Sequence, residues 1–241
     1  MDPTSFLPHG LAMLAYHNGD RDAVIVVDDD YGEHDEFPVE YFFRGPDQFQ
    51  EYEQMAVDCC RGRVLDVGAG CGCHSLYLQE RGFEVVALDI VPELVEVLRG
   101  RGVKDARCAQ ISAFGGEAFD TILMLMNGIG LAETLDGVGP LLEHLATLLN
   151  AGGQVLADST DVRLAYGADV APNEDMLRLD GRYMGEITFQ LQYDGAKGPP
   201  FPQLYIDPTS LDSCAQNVDW QMEILQQSPH GGFLARLTPP S

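Results

Sequence analysis

Apolar residues along the chain follow two rhythms. From residue 63 onward, short apolar runs alternate with stretches in which apolar positions recur every three to four residues. "RVLDVG", "EVVALDI" (84–90), "DARCAQI" (105–111), "FDTILMLMN" (119–127) and "QVLADS" (154–159) read as five strands. Between them, "CHSLYLQERG" reads as a helix closed by Gly82, and "PELVEVLRGRG" (92–102) as one opened by Pro92. "VGPLLEHLATLLNAGG" (138–153) places Leu141, Leu142, Leu145, Leu148 and Leu149 on one helical face. Alternation of this length predicts βαβ units and a parallel sheet covered on both faces. After residue 160 the period becomes two. "GEITFQLQYD" (185–194) and "FPQLYID" (201–207) predict a hairpin around "GAKGPP", and a short helix follows in "DPTSLDSCAQNVDW". "QMEILQQ" (221–227) and "GFLARL" (232–237) are joined by "SPHG", too short for a crossover, so they pair antiparallel. The predicted fold class is α/β: a doubly wound, mostly parallel seven-stranded sheet with a final antiparallel strand, an N-terminal extension and a late β-hairpin insertion.

The extension has its own pattern. "AVIVVD" (23–28) and "FPVEYFF" (37–43) predict a hairpin, and 46–60 a helix with Phe49, Tyr52, Met55, Ala56 and Cys59 on one face. No repeat or low-complexity linker interrupts the chain. One domain over 1–241 is expected, made of an N-terminal cap (1–60), a core (61–160), a lid-like insertion (161–207) and a C-terminal helix with strands (208–241).

Composition narrows the partners. The 241 residues, 45% of them hydrophobic, suffice for one substantial core. No apolar run approaches the roughly 20 residues that span a bilayer, and the start lacks the basic region of a signal peptide. A soluble, cytoplasmic protein is expected. A net charge of −24 repels polyanions, which excludes nucleic acid and anionic membrane as partners. The first 60 residues hold 14 acids against Arg21 and Arg44, with a peak at "DDDYGEHDE" (28–36). That run is either a solvated loop or a mouth attracting a cationic acceptor; adaptation to high salt yields the same composition. The six cysteines form no C-x-x-C pair, so reduced thiols are expected and no metal site.

The decisive stretch is "GRVLDVGAGCGCHSLYLQERGFEVVALDI" (62–90), with alternate glycines at 68, 70 and 72 after a strand. A phosphate loop would need a lysine, and none lies within it. A dinucleotide fingerprint would place its third glycine where Cys73 stands. Asp66, two residues before the first glycine, suits a ligand with an ammonium group better than a pyrophosphate.

These residues resemble the cofactor-binding core of the class I S-adenosylmethionine-dependent methyltransferases, of the bacterial small-molecule type. The signature [DE]-x-G-x-G-x-G matches Asp66-Val67-Gly68-Ala69-Gly70-Cys71-Gly72, and the acid ending the second strand matches Asp89, 19 residues after Gly70. The resemblance implies a Rossmann-like methyltransferase fold, S-adenosylmethionine as cofactor and S-adenosylhomocysteine as product. It further implies that Asp89 accepts bonds from the ribose hydroxyls, that Ile90 packs on the adenine, and that Gln110 and Ile111 border it. The family often has an acid near Gln110. "LLNAGGQVLADS" resembles the segment leading into the fifth strand, with Ala151 replacing the usual proline.

In open α/β sheets ligands gather at the carboxyl ends of the strands. That nominates Asn127, beside the cofactor's methionine end, Gly128 and Ile129 after strand four, and Asp158, Ser159 and Asp161 after strand five. The family has no universal catalytic residue, so the catalytic group is unknown, with His74, Asp158, Asp161 and His17 as candidates. The Asn-Pro-Pro-Tyr motif of amino-group methyltransferases acting on bases is missing, since Asn127 is followed by Gly-Ile-Gly. Aromatic residues outside the core, Tyr41, Tyr183 and Tyr205, with Arg44, are expected to close over the substrate. The expected function is methyl transfer by in-line displacement to a small-molecule acceptor, and a homodimer is compatible with it. Alternatives are methylation of a protein or peptide side chain, or a non-catalytic S-adenosylmethionine sensor or partner subunit.

Overall fold

The computed structural model describes residues 2–165 and 181–240. It opens with helix α1 (Leu7–His17), which the sequence pattern did not predict because Pro8 and Gly10 interrupt the helical signal. Pro8 sits in the first turn, where a missing N–H costs nothing. A methyl group at Gly10 would lie 2.6 Å from Val91 Cγ1, so glycine lets this helix close on the core. Strands β1 (Val24–Asp29) and β2 (His34–Pro38) form the expected hairpin. The second strand runs earlier than 37–43: it stops at Pro38, and Val39–Phe43 is a 3-10 turn. Helix α2 (Glu51–Cys59) starts after a separate 3-10 turn, and its Glu53 side chain accepts the Gln50 N–H at 2.7 Å, a capping box.

The main sheet follows the predicted alternation, β3 (Val64–Val67), α3 (Cys73–Glu80), β4 (Val85–Asp89), α4 (Pro92–Arg101), β5 (Ala106–Cys108), β6 (Phe119–Met124), α5 (Val138–Ala146) and β7 (Leu149–Thr160), except that α5 stops at Ala146 and Leu149, expected on its helical face, opens β7. β3 and β4 are buried at every position, as parallel strands covered on both faces must be. After α6 (Val162–Ala165) come β8 (Glu186–Tyr193), β9 (Ala196–Lys197), β10 (Phe201–Leu204), α7 (Pro208–Gln216), β11 (Gln221–Gln227) and β12 (Gly232–Thr238). The seven-stranded order is β11-β12-β7-β6-β3-β4-β5, with β12 antiparallel to both neighbours. The order reverses at β3, between β4 and β6, which opens a crevice at the carboxyl ends of the strands. This is the Rossmann-like methyltransferase fold.

The hairpin and the insertion, expected as separate pieces, form one second sheet in the order β10-β8-β1-β2. β8 turns into β9 at Asp194-Gly195, both with positive φ (45° and 79°), the geometry of a primed hairpin turn. Register fixes the inner face. Val27 lies opposite Asp35 and Leu191, Asp29 opposite Phe189, and Phe189 opposite Phe201. Strand period two therefore aligns Ile25, Val27, Asp29, Asp35, Phe37, Ile187, Phe189, Leu191, Phe201 and Gln203 on one side. α1 covers one end of that face, with Met13 and Tyr16 in a cluster with Ile25, Leu191, Phe201, Val91 and Leu94. The part of the expected insertion at 166–180 lies outside the described residues.

Candidate active site

Two cavities meet at the carboxyl ends of β3 and β4, sharing Gly68, Asp89, Ile90 and Leu131. The smaller, ≈ 270 Å³, is lined by Gln110, Ile111, Glu133, Pro140, Leu141 and His144. The larger, ≈ 560 Å³, lies between the glycine loop and the inner face of the antiparallel sheet.

The loop between β3 and α3 is shaped by three positive φ values, 70° at Gly68, 54° at Gly70 and 81° at Gly72. They serve different ends. A methyl group added at Gly68 would meet nothing within 4 Å, and at Gly70 only the Gly68 carbonyl at 3.9 Å, so both border open space. At Gly72 it would lie 2.7 Å from Leu98 Cδ2. Gly72 therefore serves the packing of α3 on α4 and lines neither cavity. Asp89 ties the loop to β4: its oxygens accept the Gly70 and Val91 N–H groups, each at 2.9 Å. Burial pushes its carboxyl up to about 6. Asp66 is also buried, which raises its pKa, and it accepts the Ser75 hydroxyl at 2.5 Å.

Beside the loop lies a buried charge network. His74 Nε2 is 2.9 Å from Glu53 Oε1, and Arg44 pairs with the same oxygen. Arg44 also donates to the Tyr41 carbonyl at 3.0 Å, and its guanidinium stacks 4.3 Å over the Tyr41 ring. Burial alone would raise the Glu53 carboxyl, but His74, the Gln50 amide and Arg44 hold it below the usual range. Asp158, buried at the end of β7, accepts the Gly128 N–H at 3.1 Å, and burial pushes it up to about 6.

Several expected site residues hold the framework instead. Asn127, at φ 61°, accepts the Ser159 hydroxyl at 2.8 Å and donates to the Leu204 carbonyl at 3.0 Å, joining β6, β7 and β10. Gly128 is needed because a methyl group there would lie 2.6 Å from Met124 Cβ. Asp161 pairs bidentately with Arg163 at 2.9 and 2.6 Å. Tyr183 donates to Asp207, which caps α7. His17 packs against Gly100 on α4, away from both cavities. Tyr41, Tyr205 and His74 line the larger cavity, and Gln110 and Ile111 the smaller.

Sequence reasoning missed other lining residues. Phe6 and His9 come with the unpredicted α1 region, and burial pushes the His9 imidazole down to about 4. Phe189 and Ile187 required knowing the register of the second sheet. Glu53 was marked by no sequence pattern, and nothing local revealed that its Oε1 meets His74. His144 lines the smaller cavity with Nε2 buried and without a hydrogen-bond partner among the described residues. Among the described residues no group of three or more His, Cys, Asp or Glu is placed to hold a metal ion, and no helix is long and apolar enough to cross a membrane.

A family model described as a methyltransferase domain matches residues 65–157. A crystal structure of an S-adenosylmethionine-dependent methyltransferase from Bacteroides fragilis, in complex with S-adenosyl-L-homocysteine, superposes with a TM-score of 0.86. The identity is 38%, covering 99% of this chain and 97% of that one. A ubiquinone biosynthesis O-methyltransferase from Xanthomonas oryzae pv. oryzae is 25% identical over 182 residues, 72% of this chain and 68% of that protein. An uncharacterized methyltransferase of Mycobacterium bovis is 57% identical over 110 residues, 43% of each chain.

Proposed function

The chain belongs to the class I S-adenosylmethionine-dependent methyltransferases, and on that premise we propose that it methylates a small molecule held between the glycine loop and the antiparallel sheet. The observation that carries this is the larger cavity: one wall is the loop, and the other is a sheet of alternating apolar side chains. Such a chamber suits an enclosed ligand better than a protein surface. The name of the Xanthomonas relative points the same way.

The residues fit the cofactor. Gly68 and Gly70 leave a cradle that any side chain would fill. In the smaller cavity, the orphaned His144 Nε2 is the kind of buried polar atom that a nucleobase edge would satisfy. Each Asp89 oxygen retains a lone pair beyond its backbone bond, so Asp89 would take the ribose hydroxyls. Ile90, Gln110 and Ile111 would border the adenine, while Asp66 and Ala69 would stand at the methionine end. When bound, S-adenosylmethionine supplies an electrophilic methyl on a sulfonium. The chain's own work is to position an acceptor on the axis and keep water out. Tyr41 and Tyr205 belong to the acceptor side; Asp158, which lines neither cavity, shapes the turn through Gly128.

The test is a screen in which the protein and S-adenosylmethionine meet small phenols, amines and acids in one arm and mixed peptides in the other. Methylated small molecules are expected by mass spectrometry. Methylation confined to peptides would sink the small-molecule reading.

A further inference from the structure

Resting on that placement of the acceptor, we propose that the acceptor is a small amine, drawn in as its ammonium ion by Asp29 and Asp35 and deprotonated by His74. Two independent features carry this: the charge of the chamber and the hydrogen bonding of one buried imidazole.

Four carboxylates line the larger cavity, and among the described residues no lysine or arginine does. Asp66 and Asp89 stand at the glycine loop. Asp29 and Asp35 stand on the opposite wall, on β1 and β2, in the same inner face as Val27, Phe37 and Phe189. Two cations stand close in sequence to lining residues, and both are committed: Arg44 to Glu53 and the Tyr41 ring, and Arg163, next to Val162, to Asp161. Burial keeps His9 uncharged at neutral pH. Among the described lining residues, a carboxylate, phosphate or phenolate would thus meet like charge and no lysine or arginine on entering. An ammonium would meet two carboxylates and the aromatic rings of Phe37, Tyr41, Phe189 and Tyr205, whose faces attract cations.

An ammonium nitrogen has no lone pair, so it must lose a proton before it can attack. His74 lines the cavity with a side chain only 8% exposed. Its Nε2 is engaged by the Glu53 carboxylate, so Nε2 carries the hydrogen and Nδ1 the lone pair. Among the described residues Nδ1 has no hydrogen-bond partner. The charged groups around this imidazole are Glu53 from α2, Arg44 before it, Asp66 from β3 and Asp158 from β7. The amine then forms the new C–N bond with its lone pair as the methyl–sulfur bond breaks. The bonding electrons stay on sulfur in S-adenosylhomocysteine, and His74 later releases the proton to water. Glu53 is a positioning residue that fixes the tautomer.

The test uses protein saturated with S-adenosylhomocysteine and three isosteric probes, benzylamine, benzyl alcohol and benzoate, by calorimetry. The amine is expected to bind at least tenfold more tightly than either of the others, and Asp35→Asn to erase most of that preference without changing alcohol binding. Equal or tighter binding of the alcohol or benzoate, or no amine binding at millimolar concentration, overturns the proposal. Failure of S-adenosylhomocysteine itself to bind would instead strike the placement of the methyltransferase site. With S-adenosylmethionine, a series of primary and secondary arylalkylamines should yield methylated product, and none at all overturns the proposal. His74→Gln should keep S-adenosylhomocysteine affinity within threefold yet slow turnover about 100-fold at pH 7. That deficit should shrink above the amine's own pKa, and an equal deficit at every pH overturns the base role.

Discussion

The two walls of the larger cavity are built by opposite strategies. The glycine-loop wall comes from one contiguous stretch, β3 through β4, and presents backbone: open space beside Gly68 and Gly70, and two N–H groups gathered by Asp89. The opposite wall joins β1 and β2 to β8 and β10, so Asp29 faces Phe189 across 160 positions of sequence, and it presents side chains. Backbone shape is set by local spacing and suits a fixed ligand. Side chains on a distant register can be exchanged without disturbing that spacing, which suits the part of the reaction that gives each such enzyme its own acceptor.

If that division holds, the most damaging single change lies in the loop. Gly70→Val forces a branched residue to φ 54° and fills the open cradle. Affinity for S-adenosylhomocysteine should fall more than about 100-fold by calorimetry, while the far-ultraviolet dichroism of the fold persists. Gly72→Val should behave differently. It drives a side chain against Leu98, so loss of thermal stability should accompany loss of binding. Ligand binding retained in Gly70→Val would mean the loop does not approach the cofactor, and the contrast between walls would collapse.

A smaller effect sharpens the same contrast through pH. Ribose hydroxyls donate to an ionised carboxylate, and burial holds Asp89 at about 6. Protons therefore compete with the ligand, and affinity should fall about tenfold between pH 7.5 and pH 5. Asp89→Asn should be weaker at pH 7.5 and flat across that range. Asp158 titrates in the same window but lines neither cavity, so Asp158→Asn should keep the slope. For stability the sign is reversed. Both carboxyls have folded values above the ordinary 3.8, so the ligand-free protein binds more protons than the unfolded chain between about 4 and 6. Its melting temperature should rise from these two groups as pH falls through that interval.

What the sequence made legible follows the same division. The parallel sheet, the loop and Asp89 were readable because apolar runs, glycines and one acid lie at fixed local spacing. Gln110 and Ile111, nominated through the family resemblance, line the smaller cavity. Helix α1 was hidden by Pro8 and Gly10, whose fitness depends on a contact with Val91 far along the chain. Asp161 looked like a site residue because it follows a strand end, and Tyr183 because it is an aromatic residue outside the core, yet their partners, Arg163 and Asp207, hold them in the framework. Pairing of the hairpin with the insertion is a register between distant strands, and no local pattern encodes it. For this reason removal of residues 1–44 would cut deeper than trimming a lid: α1 packs on α4, and β1 is an inner strand of its sheet.

The mildest change tests the side-chain wall alone. Phe189 lies at the centre of the inner face, with ring centroids 6.2 Å from Phe201 and 6.0 Å from Tyr205, and it lines the larger cavity but not the smaller. Phe189→Ala removes apolar surface from the acceptor side without touching Asp89, Gly68 or Gly70. S-adenosylhomocysteine affinity should change by less than about twofold, whereas acceptor KM should rise about tenfold, the loss expected for a partly buried aromatic contact of roughly 1–2 kcal/mol. Equal damage to both constants would show that the antiparallel sheet closes on the cofactor as much as on the acceptor. The two walls would then act as one clamp, with acceptor selection coupled to cofactor binding through the sheet.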